Sequence, residues 1–255
     1  MGLFAGLRRK RLAGREFPPQ WLDIIERNVP FYRMLPPEDR RELLGHVQVF
    51  LSEKYFEGCG GARVTDEVRV TVAALACILL LHRKTDYYPQ LSSIVIYPDE
   101  YVGERQLWDE AGVVTEGPES RVGESWGHGT VVLSWKDVLL DAASPDDAFN
   151  VVFHEFAHQL DHEEGITGEE GFLPGFPRES RWRKVFEDEY GRLAADDAAG
   201  RRTLLDPYGA ESPAEFFAVA TETFFEMPGE MRREHPELYE ALSQYYRQDP
   251  ESWTR

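Results

Sequence analysis

The chain has 255 residues, of which 42% are hydrophobic, so it is long and apolar enough to bury a full core. Its 46 acidic and 28 basic residues give a formal net charge of -18, which repels phosphates and excludes an extended surface for direct nucleic-acid binding. Two cysteines, Cys59 and Cys77, are too few for a disulfide framework or a thiolate metal cluster, and we expect both to be buried thiols.

The first residues do not have the pattern of a targeting segment. A basic run at 8–11 follows the first seven residues directly, and no apolar stretch comes after it, as a secretory signal would require. Gly6 stands where a myristoylation motif needs Ser or Thr. We expect a frayed, solvated terminus; contact of this run and Arg15 with an anionic membrane or a partner is the alternative. The longest apolar run, 70–81, is too short for a membrane span of roughly 20 residues. The sequence therefore predicts a cytoplasmic protein without a membrane span.

Helical periodicity marks the first third of the chain. Apolar residues recur at helical spacing and predict helices over 21–29 and 36–50, and a third, strongly apolar helix over 65–81. Residues 57–61 read Glu-Gly-Cys-Gly-Gly, which predicts a loop. These stretches build core and carry no catalytic motif.

Short β-rich runs replace the helical pattern in the middle of the chain. Strands are predicted at 94–97, 113–115, 121–126 and 130–133. Helical patterns then return at 145–160, 182–193, 213–225 and 236–246. The order of helices, sheet and helices predicts an α+β fold with a small mixed sheet.

The motif that carries chemistry is His-Glu-Phe-Ala-His at residues 154–158. On a helix, His154 and His158 share one face about 6 Å apart along the axis, so both imidazoles can bind one Zn²⁺ ion. Glu155 lies about 100° round from His154, where it can reach a water molecule on the metal as a general base. The flanking residues of 151–160 are apolar or uncharged, so burial of these groups would be costly unless a metal paired them.

A catalytic zinc site has three protein ligands and one open position, so a third ligand is needed. His162 continues the four-residue spacing of His154 and His158. It would lie about 12 Å along the helix from His154, too far for both to bind one ion. We expect His162 to be exposed or to contact a metal ligand rather than the metal itself. The extended metzincin pattern also fails, since Asp161 and Glu164 stand where it needs Gly and His.

A carboxylate from a later helix is the remaining source of a third ligand. We choose Glu215, which falls in the first turn of a helix that Ser212 caps and Pro213 opens. A purely structural alternative stays open, because Ser212 and Glu215 also fit a capping box. Glu222, seven residues later on the same helical face, is the second candidate.

The chain resembles a known family in the segments that carry these residues. Residues 150–161, together with 208–225, are similar to the Mlc titration factor family of gluzincin zinc metallopeptidases, whose catalytic domain is similar to that of anthrax lethal factor. The likeness extends over nearly the whole chain. It implies a zincin-like catalytic domain over 91–255 with an N-terminal helical region over 1–90 packed on it as one compact unit.

The resemblance also implies roles for residues. In the family the motif histidines and the Glu of the Glu-Phe-Phe-Ala helix bind zinc, roles that fall here on His154, His158 and Glu215. Glu155 would be the catalytic base. Tyr208 resembles a tyrosine that donates a hydrogen bond to the oxyanion, although it could equally be an aromatic packed beside Pro207.

Two further features carry open alternatives. Asp161 lies on the face of His158 and could orient a zinc-binding imidazole, or it could be a charge at the helix end. The strand at 130–133 could pair with an extended peptide substrate, or it could be structural. His128 lies between two glycines and is given no role.

The resemblance implies aminopeptidase-like action on short peptides, with endopeptidase action left open because no acidic anchor for a substrate amino group is evident. An alternative from another class is a regulatory protein that sequesters a transcriptional repressor of sugar uptake, as the family name indicates. Both functions can coexist in one chain. A structural zinc site without catalysis conflicts with the presence of Glu155.

Overall fold

The computed structural model describes residues 3–99, 101–108, 114–121, 123–126, 129–168, 171–172 and 181–253. Its helices are α1 (Leu3–Ala13), α2 (Pro19–Asn28), α3 (Phe31–Met34), α4 (Pro37–Glu53), α5 (Asp66–Ile78), α6 (Trp135–Ala143), α7 (Val151–Glu164), α8 (Arg181–Ala198), α9 (Pro213–Glu226), α10 (Pro228–Glu234) and α11 (Pro236–Tyr246). Its strands are β1 (Tyr55–Gly58), β2 (Ser93–Tyr97), β3 (Tyr101–Trp108), β4 (Val114–Arg121), β5 (Gly123–Trp126), β6 (Thr130–Ser134), β7 (Thr167–Gly168) and β8 (Gly171–Phe172). The predicted α+β fold is confirmed, and His128 lies outside the described residues.

Four strands form a mixed sheet in the order β1-β2-β6-β5. β1, β2 and β6 are parallel, with Phe56 opposite Ile94 and Ile96 opposite Leu133. β5 pairs with β6 in the antiparallel direction. β3 pairs with β4 and β7 with β8 in separate two-stranded ribbons.

The sheet decides between the two alternatives for the strand at 130–133 in favour of the structural one. That strand is β6, which is hydrogen-bonded to β2 on one side and to β5 on the other, so its backbone groups are already used. Among the described strands of this sheet, β5 is the edge next to β6, and it contacts α7. The register of hydrophobic residues identifies a strand but not its neighbours.

Helices cover the sheet and contribute most of the apolar core. α5 is capped by Thr65, whose side chain accepts a hydrogen bond from the Val68 N–H, and its residues from Val70 to Ile78 are all buried. The same core cluster contains residues from α2 and α4 as well as from α7, α9 and α11. β1, from the first 90 residues, also pairs with β2, from the remainder. The division at residue 90 therefore stays a prediction about a chain whose two parts share a sheet and a core.

Two local expectations are wrong, and a third holds for only one of its two residues. The N-terminal segment is not frayed: it forms α1, in which the Arg9 side chain bonds the Glu53 carboxylate of α4 and also contacts Asp86. Residues 57 and 58 belong to β1 rather than to a loop, because β2 provides a partner. Cys77 is buried, but Cys59 is only half-buried, since it lies in the turn after β1. Long-range contacts decide the first two cases.

α7 and α9 lie against each other in opposite directions. The start of α9 brings Glu215 to His154, whereas its end brings Glu226 to Asn150 at the start of α7. No helix in the described part of the chain is long and apolar enough to cross a membrane. The pairing of α7 with α9 places the candidate site.

Candidate metal centre

The helix that carries the motif is fixed at both ends. The Asn150 side chain caps α7 by accepting a hydrogen bond from the Phe153 N–H at 3.1 Å. Gly165 ends the helix in the left-handed conformation, with φ 63°. Most residues between these caps are buried, whereas His154 and His158 are partly accessible. The helix therefore holds its two histidines in a fixed spacing at an opening of the core.

Three side chains converge at this opening. His154 Nε2 lies 3.0 Å from Glu215 Oε2, and His158 Nε2 lies 3.2 Å from His154 Nε2. The third distance, from His158 Nε2 to Glu215 Oε2, is 3.4 Å. Ligand atoms around one tetrahedral Zn²⁺, each about 2.0–2.1 Å from the ion, lie about 3.3 Å from one another. The donor set of two imidazoles and one carboxylate therefore fits a zinc ion in both chemistry and spacing.

The electrostatics of the three groups favour a positive charge between them. Burial alone would raise the pKa of Glu215, but hydrogen bonds and charge from His154 and His158 outweigh burial and lower it to about 2. Burial disfavours the charged form of His154, yet Glu215 and Glu222 raise the pKa of its imidazole well above the ordinary value. Both pKa shifts indicate that the carboxylates stabilise a positive charge at this point, which can be a proton or a metal ion.

Ser212 caps the helix that carries Glu215. The Ser212 side chain accepts a hydrogen bond from the Glu215 N–H at 3.2 Å, and Pro213 occupies the first turn. The carboxylate itself points to His154 and His158 rather than back to the helix end. The cap and the ligand position are therefore compatible, because the backbone serves the first and the side chain the second.

Glu155 and Tyr208 lie beside the three converging side chains. Glu155 is 5% exposed, and its charge contributes to the raised pKa of His154, for which burial acts in the opposite direction. Tyr208 is 48% exposed, in a 3-10 turn at Pro207–Ala210, with its ring centroid 6.1 Å from that of His154. Tyr208 is thus an accessible side chain next to a candidate ligand and is not packed in the core.

Glu222, the second candidate for the third ligand, lies behind the site. Its Oε1 accepts a hydrogen bond from His154 Nδ1 at 2.7 Å, and its Oε2 accepts one from the Asn150 N–H at 2.6 Å. The helical spacing correctly placed it on the face of Glu215, but it contacts the opposite edge of the imidazole. Burial raises its pKa, against the lowering effect of His154.

Asp161 and His162 take no part in the convergence. Asp161 accepts hydrogen bonds from the Thr167 N–H and hydroxyl, so it fastens the segment after the helix instead of orienting an imidazole. His162 is exposed, as its distance along the helix predicted. The alternative of a charge at the helix end therefore describes Asp161.

Two buried acids from other helices contact the start of α7, and the sequence did not predict either contact. Asp141 accepts a hydrogen bond from the Val151 N–H, and Glu226 accepts from the Phe149 N–H and the Asn150 side-chain amide. Burial raises the pKa of Asp141 to about 7 and that of Glu226 to about 9. The spacing of Glu226, four residues after Glu222, was the only available signal.

A second group of metal-binding residue types has a different geometry. His82 presents Nε2 to Asp39 at 3.2 Å and Nδ1 to Glu42 at 3.4 Å. Opposite edges of one imidazole therefore face the two carboxylates, and the His82 N–H also donates to Glu42. This arrangement is a hydrogen-bonded clamp between α4 and the turn after α5, whereas the three donors at His154 face one point.

Comparisons with known proteins agree with this geometry. The profile of the family described as glucose-regulated metallo-peptidase M90 matches residues 4–247. An uncharacterised protein of Synechocystis sp. is 41% identical over 95% of this chain and 89% of its own length. Mlc titration factor A of Serratia proteamaculans is 29% identical over 91% of this chain and 87% of its own, and that of Pectobacterium atrosepticum is 28% identical over 88% and 84%. Because the match covers nearly all of the fold and the converging histidines, the chain belongs to the glucose-regulated M90 family of metallopeptidases, together with the Mlc titration factors.

Proposed function

We propose that this metallopeptidase is a zinc-dependent enzyme of the gluzincin type, with His154, His158 and Glu215 as its metal ligands. The observation that carries the proposal is the convergence of three donor atoms from two helices, at mutual distances of 3.0, 3.2 and 3.4 Å. Such a site supplies a Lewis acid that polarises a peptide carbonyl and acidifies a water molecule. The partial exposure of His154 and His158 gives the substrate a side from which to approach.

Glu155 is the general base of the proposed reaction. It takes a proton from the attacking water and returns a proton to the leaving amine. Its position next to His154 in the sequence directs it to the side of the helix adjoining the ligands. Tyr208 donates its phenolic hydrogen to the oxyanion that develops on the substrate carbonyl, a role for which its exposure beside His154 suits it.

Short peptides with a free amino end are the proposed substrates, as the family resemblance implies. β5 takes the place of β6 as the proposed docking strand, because it is an edge strand that contacts α7. An extended peptide would add to this edge and cross the site at His154 and His158. Cleavage within longer peptides by the same geometry would make the enzyme an endopeptidase.

The experiment that tests the enzyme is zinc analysis paired with hydrolysis of a mixed fluorogenic peptide set. We expect one zinc per wild-type chain, retained metal without activity in Glu155→Gln, and loss of both in Glu215→Ala. His162→Ala is the matched control, since His162 lies in the same helix, is exposed and should keep metal and activity. Wild-type protein without zinc would overturn the metal site; zinc without hydrolysis of any peptide would overturn the enzyme.

We propose a second function because two of the relatives bear the name Mlc titration factor A. In this role the chain, in the cytoplasm, sequesters a transcriptional repressor of sugar uptake. Binding of the repressor by Glu155→Gln, with hydrolysis abolished, would separate the two functions. Loss of both in that variant would contradict a purely binding role.

A further inference from the structure

The carboxylate of Glu222 joins a candidate metal ligand to the start of the motif helix. Its Oε1 lies 2.7 Å from His154 Nδ1, and its Oε2 lies 2.6 Å from the backbone nitrogen of Asn150. The side chain is 3% exposed. Both oxygens are thus used, by groups 68 and 72 residues away in the sequence.

These two contacts have a consequence for the imidazole. A carboxylate only accepts hydrogen bonds, so His154 must carry its hydrogen on Nδ1 when it faces Glu222. The lone pair is then on Nε2, the atom that faces Glu215 and His158. Contact with Glu222 therefore selects the tautomer that binds a metal and fixes the plane of the ring.

A neighbouring acid also bonds to the start of the motif helix. Glu226 lies one turn further along α9 and accepts hydrogen bonds from the Phe149 N–H and the Asn150 amide, both at 3.0 Å. It is also buried, and both of these hydrogen bonds lead to the residues at the start of α7. Glu222 and Glu226 therefore both hold the start of α7, and the carboxylate of Glu222 also bonds to a candidate ligand.

We infer that Glu222 is a positioning residue, which holds His154 in its metal-binding tautomer and orientation and couples it to the start of α7. This inference rests on the proposed metal site and deepens it. Asparagine or glutamine cannot replace the carboxylate, because their single acceptor oxygen satisfies one of the two donors and their NH₂ group faces the other. Loss of the carboxylate therefore weakens metal binding without removing a ligand.

The test is the zinc dissociation constant, measured by competition with a chromophoric chelator, for wild type, Glu222→Gln, Glu226→Gln and Glu215→Ala. We expect Glu222→Gln to bind zinc about 10- to 100-fold more weakly, the usual effect of losing a partner behind a ligand. Glu226→Gln should stay within about 2-fold of wild type, since the hydrogen bonds that it changes lead to Phe149 and Asn150 at the start of the helix. Thermal unfolding of the metal-free proteins measures the structural cost of each change separately.

The outcomes distinguish this inference from the proposed site. Glu215→Ala that binds zinc like wild type would overturn the site itself. Weak binding in Glu215→Ala but normal binding in Glu222→Gln would overturn only the positioning role, and so would equal losses in Glu222→Gln and Glu226→Gln. If Glu222→Gln does not fold, Glu222→Asp replaces it: the charge stays, the carboxylate retreats by about 1.5 Å, and the same loss of affinity is expected.

Discussion

His154 Nε2 and Glu215 Oε2 lie 3.0 Å apart, although 61 residues separate them in the sequence. The contact joins α7 to α9, and the same carboxylate oxygen lies 3.4 Å from His158 Nε2. A metal bound here would tie two core helices together in the folded chain. Since the unfolded chain has no such site, metal binding and folding are thermodynamically linked.

Removal of metal is therefore expected to destabilise the protein. At a free zinc concentration about 1,000 times the dissociation constant, binding adds about 4 kcal/mol to the free energy of unfolding. For a chain of this size, excess chelator should lower the midpoint of thermal unfolding by on the order of 10 °C. Differential scanning fluorimetry measures the shift, and Glu215→Ala should show little of it. A wild-type midpoint that is the same with and without chelator would contradict the linkage.

Tyr208→Phe tests the proposed oxyanion donor. The substitution removes one hydroxyl from an exposed ring beside His154, so zinc content and stability should not change. Because the hydrogen bond would form chiefly in the transition state, kcat should fall by about 100-fold with little change in KM. Steady-state kinetics on a peptide that wild type cleaves gives both constants. Tyr190→Phe is the control, since Tyr190 donates to the Ala210 carbonyl on the same turn; an equal fall in both variants would indicate a structural effect.

The sequence predicted which three side chains converge better than it predicted the contacts behind them. Spacing of four residues on a helix suffices to place His154 and His158 together, and Ser212-Pro213 locates the turn that carries Glu215. No local pattern indicates that Glu222 contacts the far edge of His154, because that contact depends on how α9 lies against α7. The sequence therefore offered Glu222 as a rival ligand.

The same limit applies to the fold. Periodicity predicted the β-rich middle segment and the helices α2, α4, α5, α7, α8, α9 and α11, and the α+β class followed from their order. It did not predict α3, α6 or α10, and it began the motif helix at residue 145, whereas α7 begins at Val151. α1 was missed because its order depends on contacts between Arg9 and residues 44 and 77 positions away. The position of β6 inside the sheet likewise depends on β2 and β5, and no pattern within β6 records it.

Glu226 should make stability depend on pH. Burial, assisted by the charges of Asp147 and Glu222, raises its folded-state pKa to about 9, from an unfolded value near 4.5. The folded chain thus keeps a proton that the unfolded chain releases, so this contribution to stability is fully present below pH 4.5. This stabilisation decreases as the pH rises from 4.5 to about 9, and it is absent above about 9.

The measurement is the free energy of unfolding in urea at pH 6 and pH 8, with chelator present. Glu226→Gln should remove on the order of 1 kcal/mol per pH unit from the dependence, since an amide does not titrate here. Asp141, whose pKa burial raises to about 7, should leave part of the slope. Asp188→Asn, at an exposed acid of α8, is the control and should keep the wild-type slope. An unchanged slope in Glu226→Gln would contradict a protonated Glu226.

Gly129 should be required at the start of β6. Its φ of 81° is in the left-handed region, and an added Cβ would lie 2.5 Å from the Gln90 carbonyl oxygen. Its own carbonyl accepts hydrogen bonds from the Ser92 and Ser93 N–H groups, so the backbone cannot move away without breaking them. Gly129→Ala should therefore lower the free energy of unfolding by more than about 2 kcal/mol.

Gly165→Ala separates the two causes of that loss. Gly165 also has a positive φ, of 63°, but an added Cβ there meets no atom within 4 Å. It should cost only the conformational penalty of about 1–2 kcal/mol, less than Gly129→Ala. Urea denaturation of both variants, with the metal content held equal, gives the comparison. If the two losses were equal, the contact with Gln90 would contribute nothing, and the start of β6 would have to be free to shift despite its bonds to Ser92 and Ser93.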